Sequence, residues 1–300
     1  MTHFTLATLS TPAGLTAAIG VGDKYYPLSQ TQQFKDSTVR CLLEDWTQSL
    51  ASLEKLAEAA QAGKLSQSIA ARDATLETPV RYPNKVACAG ANFTSHLKEM
   101  GFTDLGKWDI LPVFLAPPTT TLVGPGTTVK VPRTTQEFDW ELEMVVVVGK
   151  RLRHASREEA AAAIAGYMVG LDLSCRDLAI CDNQLKIDFM RGKLQDTMTP
   201  AGPVLVPAKF VPDPDNLRMT LFVNDRKMQD ASTNEMLFKC DEILAVTSSH
   251  VTLEPGDLVY TGTPSGQAKS HGVPFLQVGD KICGRIEGIG ELNVTLKSDD

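Results

Sequence analysis

The spacing of apolar residues changes along the N-terminal part of the chain from a strand period to a helical one. The strand signals are three short apolar runs, with a Gly-Asp turn between the last two, at 5–9, 15–21 and 24–28. Over 39–56 the apolar residues recur at spacings of three and four, which predicts one amphipathic helix ending near Gly63. The polar stretch 64–83 is typical of a linker. These patterns predict a small N-terminal α/β domain, residues 1–78.

After residue 84, short strand-like runs alternate with Gly, Pro and Asp turns. One helix is clear in this part, because Ser156 and Glu159 have the spacing of a capping box and precede an Ala-rich stretch to about Ala165. We therefore predict a second domain, residues 79–300, that is rich in strands. The whole chain is predicted to have a β-rich α+β fold.

The segment 137–149, which reads EFDWELEMVVVVG, carries the most chemical information. As a strand it would place four carboxylates on one face, namely Glu137, Asp139, Glu141 and Glu143. The run of valines predicts that the strand continues into a buried sheet. The acidic face has two interpretations: a solvated sheet edge, or a site with a positive partner, because an unpaired buried carboxylate is strongly destabilising.

A second strand after the capped helix favours the site. Residues 167–174 alternate apolar and polar positions, and Asp172 is the one carboxylate in that run. A strand–helix–strand unit of about 35 residues can bring Asp172 beside Glu141 and Glu143. Carboxylates without a Cys or His nearby suit a hard cation. We expect Mg²⁺ first, with Mn²⁺ or Ca²⁺ as alternatives.

A histidine and a glutamate lie three residues apart in the segment NFTSHLKEMG, residues 92–101. Thr94 or Ser95 is predicted to cap a short helical turn, which puts His96 and Glu99 on one face. A glutamate beside a histidine orients the ring and raises its basicity, as in a general base. An ordinary surface ion pair is the alternative and, for the pair in isolation, the more common case.

The overall composition limits the classes of partner. The 300 residues are 43% apolar and 22% charged, with a net charge of −7, which is typical of a globular protein and unfavourable for nucleic-acid binding. The apolar run 144–148 is far shorter than the roughly 20 residues that span a bilayer, and no other run in the sequence reaches that length. The first twenty residues have no Lys or Arg, unlike a signal peptide. We expect a cytoplasmic protein with neither a membrane nor a nucleic-acid partner.

From about residue 80 to the end, the chain resembles the fumarylacetoacetate hydrolase family, in its small-enzyme branch. The resemblance depends on the order and spacing of six segments: GANFTSH, DWELEMVVVVGK, GYMVGLDLSCRDL, FMRGKLQDTMTPAGP, LEPGDLVYTGTPSG and GDKICGRIEGIGEL. The N-terminal unit is also similar to one that many members carry. The resemblance implies a mixed β-sandwich roll as the core and a homodimer.

The resemblance also implies a catalytic site. It implies a divalent ion held by Glu141, Glu143 and Asp172, and a lid that carries His96 and Glu99. In the family-like arrangement Lys193 would hold the substrate or stabilise developing negative charge. Family members act on short oxo-acids and β-dicarbonyl compounds by hydrolysis of carbon–carbon bonds, decarboxylation or tautomerisation.

We therefore expect an enzyme, a metal-dependent hydrolase that cleaves a carbon–carbon bond in an acylpyruvate-like or other β-diketo acid. In this hypothesis the metal chelates the substrate, and the His96–Glu99 pair activates water. The alternatives are an oxaloacetate-type decarboxylase or a 2-hydroxyhepta-2,4-diene-1,7-dioate-type isomerase on the same metal site, and a non-catalytic metal-stabilised protein. Ala116 stands where many relatives carry a lysine, which argues against the common oxaloacetate decarboxylation.

Two further features have open interpretations. Thr261, Gly262 and Thr263 form a turn that would present backbone N–H groups to a substrate carboxylate, or an ordinary hairpin turn. Arg176 and Asp177 follow the third predicted ligand. They are expected to form a structural ion pair rather than to reach the site.

Overall fold

The computed structural model describes residues 2–104, 106, 110–182, 184 and 186–299. The helices in this part of the chain are α1 (Val39–Glu44), α2 (Trp46–Gln61), α3 (Thr94–Glu99), α4 (Arg157–Ala162), α5 (Arg176–Ala179), α6 (Phe189–Lys193), α7 (Cys240–His250) and α8 (Ala268–His271). The strands are β1 (Thr5–Thr11), β2 (Gly14–Val21), β3 (Lys24–Pro27), β4 (Ile69–Ala70), β5 (Thr75–Glu77), β6 (Val86–Ala89), β7 (Val113–Ala116), β8 (Leu122–Val123), β9 (Thr128–Val131), β10 (Phe138–Asp139), β11 (Leu142–Val148), β12 (Ile164–Leu171), β13 (Ser174–Cys175), β14 (Thr199–Pro207), β15 (Arg218–Val223), β16 (Arg226–Ser232), β17 (Leu258–Tyr260), β18 (Lys281–Ile286) and β19 (Gly290–Ser298).

One long mixed sheet forms the centre of the molecule. Its strands lie in the order β4-β3-β2-β1-β14-β12-β11-β17-β6-β7, with β5 paired to β1 and β8 to β14. A second sheet has the order β16-β15-β18-β19-β9, and β10 pairs with β13. The predicted β-rich α+β fold is confirmed.

The valine run in β11 is explained by burial on both faces of the long sheet. Val146 and Val148 belong to a core that also contains Leu221 and Leu292 of the five-stranded sheet. Val145 and Val147 belong to a second core, which also contains residues of α1 and α2. Burying one such side chain contributes about 1.5–3 kcal/mol, so β11 anchors the residues that precede it.

The N-terminal strands extend the long sheet through the pairing of β1 with β14. β1 pairs antiparallel with β14, with Leu6 opposite Leu205. The interpretation of 64–83 as a linker is wrong for part of that stretch, because β4 pairs with β3 and β5 pairs with β1. β4 and β5 are only two and three residues long, so they leave little trace in the hydrophobic pattern. The boundary between residues 78 and 79 stays a prediction.

The observed helices differ from the predicted ones in number and in their bounds; α7, for example, was not predicted, and α4 ends at Ala162 rather than near Ala165. The single helix predicted over 39–56 is two helices, because Asp45 leaves helical geometry and its side chain accepts a hydrogen bond from the Gln48 N–H at the start of α2. The capping box of Ser156 and Glu159 is present at the start of α4. Within the described residues, no helix is long and apolar enough to cross a membrane.

Candidate metal centre and catalytic site

Two adjacent strands bring three carboxylates together. The antiparallel register of β11 and β12 places Glu143 opposite Gly170, and the Asp172 N–H donates to the Glu141 carbonyl oxygen at 2.9 Å. The predicted single acidic strand is interrupted at Trp140 and Glu141, between β10 and β11. Carboxylate oxygens of Glu141, Glu143 and Asp172 lie within 4.8 Å of one another.

The acidic cluster is buried. Glu141, Glu143 and Asp172 are 4%, 1% and 2% exposed, and Asp139 is 1% exposed. The interpretation as a solvated sheet edge is therefore wrong for these residues. Glu137 is only half-buried, so alternation along the segment does not extend the cluster to that carboxylate.

Two cations contact this cluster. Lys193 Nζ is 2.6 Å from Glu141 Oε2 and 2.6 Å from Asp172 Oδ2. Arg176 Nη1 is 2.6 Å from Glu141 Oε1, and its Nε is 3.0 Å from Asp139 Oδ2. The expected structural pair of Arg176 with its neighbour in sequence is wrong, because Arg176 reaches the site.

Asp177 instead binds the loop that precedes β10. Its carboxylate accepts hydrogen bonds from the Thr135 hydroxyl and from the Gln136 N–H, the latter at 2.8 Å. The sequence alone did not separate the roles of Arg176 and Asp177, because the geometry of α5 decides which side chain turns inward.

The cations divide the carboxylates into two electrostatic classes. Burial by itself would raise the pKa of Glu141, but the charges of Lys193 and Arg176 outweigh burial and lower this pKa to about 2. Burial raises the pKa of Glu143 well above its usual value, and the negative charges of Asp172 and Glu141 raise it further. Glu143 is thus the carboxylate that most lacks a positive neighbour.

The donor set fits a hard divalent cation. Within the described residues, the cluster contains four buried carboxylates and two cationic side chains, so negative charge is in excess. Asp172 Oδ1 is buried and accepts no hydrogen bond. An ion with two positive charges would balance the excess and use that oxygen, and oxygen-only ligands suit Mg²⁺, Mn²⁺ or Ca²⁺.

A glycine allows Lys193 to reach the carboxylates. Lys193 is the last residue of α6, which begins where the Asp188 side chain accepts a hydrogen bond from the Arg191 N–H. A Cβ placed on Gly192 would lie 2.5 Å from Ala179 Cβ on α5. Only a residue without a side chain permits this close approach of α6 to α5.

The His96–Glu99 pair lies on α3. His96 Nδ1 is 3.1 Å from Glu99 Oε2, and the two side chains are only 12% and 15% exposed. A solvent-exposed surface pair is therefore the wrong interpretation. The charge of a protonated His96 also contributes to lowering the pKa of Glu141, after the contributions of Lys193 and Arg176, so the ring lies near the acidic cluster.

Hydrogen bonds from outside α3 fix Glu99. Glu99 Oε1 accepts from the Gly266 N–H at 3.0 Å and from the Ser270 hydroxyl. Burial would raise the pKa of Glu99, but these bonds and the bond from His96 lower it below its usual value. The helix cap predicted at Thr94 or Ser95 is absent, since Phe93 is the cap residue; Ser95 Oγ instead accepts from the Ser265 N–H at 3.2 Å.

The turn after β17 supports the acidic cluster. The Gly262 N–H donates to Glu143 Oε2 at 2.7 Å, and the Thr261 N–H donates to the Met144 carbonyl oxygen at 3.1 Å. Gly262 has φ +91°, which disfavours any other residue. Two N–H groups predicted to meet a substrate carboxylate are thus bonded to β11. The Thr263 hydroxyl accepts from Gln229 Nε2 at 3.0 Å. Substrate binding by Thr261, Gly262 and Thr263 stays a prediction.

Sequence reasoning missed three positioning side chains. Asn92 is fully buried, and its amide bonds the carbonyls of Thr261 and Phe238 at 2.8 and 3.0 Å. Trp140 Nε1 donates to the Gly266 carbonyl oxygen at 2.9 Å. Gln229 accepts from the Leu142 N–H at 2.9 Å. The sequence patterns gave them no role, although Asn92 and Trp140 lie in segments that carry the family resemblance.

The segment 85–297 matches the family model described as fumarylacetoacetate (FAA) hydrolase C-terminal. This chain belongs to the fumarylacetoacetate hydrolase family. A human relative, Oxaloacetate tautomerase FAHD2A, mitochondrial, is 37% identical over 240 residues, which are 80% of this chain and 73% of the relative. An uncharacterized protein of Pyrococcus abyssi is 35% identical over 218 residues, 73% of this chain and 92% of the relative.

Solved structures of the family cover almost the whole chain. Maleylpyruvate hydrolase from Sphingobium sp. SYK-6, in complex with manganese (II) ion and pyruvate, has a TM-score of 0.77 and 28% identity and covers 99% of this chain and 100% of that one. The 2-hydroxyhepta-2,4-diene-1,7-dioate isomerase from Mycobacterium marinum has a TM-score of 0.73 and 26% identity, covering 99% of each chain. These relatives are named as enzymes of different reaction types on one fold.

Proposed function

We propose that the chain is a divalent-metal-dependent hydrolase that cleaves a carbon–carbon bond in an acylpyruvate-like or other β-diketo acid. The observation that carries the proposal is the approach of three buried carboxylates to within 4.8 Å, beside Lys193 and the His96–Glu99 pair. Glu141, Glu143 and Asp172 would hold the ion, with Mg²⁺ as the first choice. A divalent ion held there would supply Lewis-acid chemistry, the polarisation of a substrate carbonyl.

His96 is the proposed general base. Glu99 accepts from Nδ1, which leaves Nε2 of the neutral ring free to take a proton. His96 removes a proton from water as the water oxygen bonds to the distal carbonyl carbon. The carbon–carbon bond next to that carbonyl then breaks, its electron pair stays on the departing enolate, and His96 returns the proton to the enolate carbon.

Lys193 is the proposed stabiliser of negative charge. Burial by itself would lower its pKa, but Asp172 and Glu141 raise this pKa above the usual value, so the side chain is cationic at neutral pH. The ammonium group would donate a hydrogen bond to the enolate oxygen in a site largely closed to water. Arg176 would keep Glu141 ionised through the 2.6 Å contact.

A second candidate function is isomerisation or tautomerisation of an oxo-acid on the same residues. It is favoured by relatives that are 37% identical and named oxaloacetate tautomerase. Proton transfer by His96 would be enough for this reaction, without attack by water. Decarboxylation of oxaloacetate would use the same enolate stabilisation. A non-catalytic, metal-stabilised protein is the remaining alternative.

The cellular setting of the proposed enzyme rests on the sequence alone. We propose a homodimer in the cytoplasm that acts on small oxo- or diketo acids. The human relatives are named as mitochondrial proteins, so they do not support the cytoplasmic location.

The test follows the ultraviolet absorbance of acylpyruvates, fumarylpyruvate and oxaloacetate with Mg²⁺, Mn²⁺ or EDTA, and identifies the products. We expect metal-dependent loss of an acylpyruvate with formation of two acids, abolished by His96→Ala and retained by the control His250→Ala, an exposed residue at the end of α7. Absorbance change without a new acid would favour the tautomerase. Pyruvate and CO₂ from oxaloacetate alone would favour the decarboxylase. No turnover of any substrate would contradict all three reactions.

A further inference from the structure

Exposed apolar side chains concentrate in two segments of the described chain, 100–115 and 180–190. They are Met100, Phe102, Ile110, Leu115, Ile180, Ile187, Phe189 and Met190. The two segments meet where Phe114 of β7 stacks on Phe189 of α6, with ring centroids 4.8 Å apart and an interplanar angle of 13°. Phe189 is still 40% exposed, so the stack leaves an apolar surface uncovered.

Strand register places Phe114 on the sheet face that carries the acidic cluster. Glu143 and Val145 are two residues apart on β11 and share a face. From Val145 a row of paired residues runs across the sheet through Tyr260 and Cys88 to Phe114. Cys88 lies close enough to the acidic cluster to be affected by its charge. Burial raises the pKa of the Cys88 thiol, and the negative charges of Asp172 and Glu143 raise this pKa further.

Helix α6 connects the same stack to the catalytic lysine. Phe189 and Lys193 are four residues apart, so they lie on one side of the helix, about 6 Å apart along its axis. The inner face of the edge strand β7 is also apolar next to the stack, because Ala116, two residues after Phe114, is buried opposite Val86.

We propose that Phe114 and Phe189 form a subsite for an apolar end group, an alkyl chain or an aryl ring, on the substrate. This inference rests on the proposed function of the site, since the diketo acid end would lie at the acidic cluster. On this proposal a methyl end group gains nothing from the stack, whereas a hexanoyl or benzoyl group would contact it. A carboxylate end group would lose hydration against the aromatic rings without a cationic partner on β7.

Affinity tests the subsite separately from turnover. The Mn²⁺-loaded protein is titrated with pyruvate and with benzoylpyruvate, and the ratio of the two Kd values is measured. We expect benzoylpyruvate to bind at least about tenfold tighter, and Phe114→Ala or Phe189→Ala to reduce this preference by about tenfold while leaving pyruvate binding unchanged. Met190→Ala is the matched control, since Met190 is 72% exposed and adjoins Phe189 without joining the stack.

Introducing a positive charge keeps the test sensitive if the alanine variants are weakened in folding. Phe189→Arg, whose side chain lies at a partly exposed position, is expected to lower benzoylpyruvate affinity and raise fumarylpyruvate affinity. Steady-state kcat/KM for the same acids should follow the same order.

Two outcomes would overturn the subsite. Equal affinity for pyruvate and benzoylpyruvate in the unmodified protein is one, and an unchanged Kd ratio in both alanine variants is the other. If sedimentation of these variants also changes while the ratio stays the same, the stack is assigned to a contact between copies. If the ratio behaves as expected but no acylpyruvate is cleaved, the proposed hydrolysis fails and the subsite stands.

Discussion

Replacing Lys193 by methionine tests the charge balance of the acidic cluster. In the structure this ammonium group bridges Glu141 and Asp172 with two contacts of 2.6 Å. Methionine has nearly the same length and keeps the apolar contacts of the lysine stem, but it leaves four buried carboxylates with Arg176 as their cation. The metal-free protein should therefore be destabilised, and a divalent ion should compensate.

The size of the effect follows from the burial of the pair. Removing one partner of a buried ion pair costs about 3–5 kcal/mol. An unfolding entropy of about 2.1 cal/mol/K per residue converts this cost to a fall in Tm of roughly 5–8 °C for a chain of this length. In the variant a metal ion no longer has to displace the ammonium group from two of its ligands, so the ion should bind more tightly. Each tenfold gain in metal affinity adds about 1.4 kcal/mol to the stabilisation by metal, which raises Tm by about 2 °C.

Differential scanning calorimetry in EDTA and in excess Mg²⁺ or Mn²⁺ measures both effects. Lys193→Met should have a lower Tm than the unmodified protein in EDTA and a larger rise in Tm with metal. The control is Lys98→Met, which removes an exposed lysine from α3 and should change neither value. Equal Tm values in EDTA, or a smaller rise with metal than in the unmodified protein, would show that Lys193 does not balance the charge of the buried carboxylates.

Three other changes test separate parts of the site. Ser270→Ala removes a hydrogen bond that lowers the pKa of Glu99, so this pKa should rise. Because ionised Glu99 is lost as pH falls through its folded pKa, the acid limb of the pH–rate profile should shift to higher pH; an unshifted limb would contradict this role. Gly192→Ala should force α6 away from Ala179 and lower kcat in the acylpyruvate assay by about tenfold or more. An unchanged kcat would show that α6 can move without affecting the site. Glu143→Gln should weaken Mn²⁺ binding by at least about tenfold in calorimetric titration, and full affinity would remove Glu143 from the ligand set.

Much of the site was predicted from local patterns. The two-residue spacing of Glu141 and Glu143 predicted that they lie together, and they do, although Glu141 precedes β11. The spacing of His96 and Glu99 along a helix likewise predicted that they share a face. The capping box at Ser156 likewise involves neighbours in sequence. Such features depend on backbone periods that every residue of an element shares, so the sequence alone was enough to predict them, and the resemblance assigned their chemistry.

Tertiary structure decided which charges meet. Arg176 and Lys193 contact Glu141 only because α5 and α6 fold back over the sheet, and the contact depends on the close approach at Gly192. No period along the chain encodes that distance. The same is true of the stack between Phe114 and Phe189, whose residues are far apart in sequence. The faces of the helices and strands follow from local spacing along the chain. The partners across those faces follow from long-range packing, because loop paths and side-chain volumes set the distances between elements.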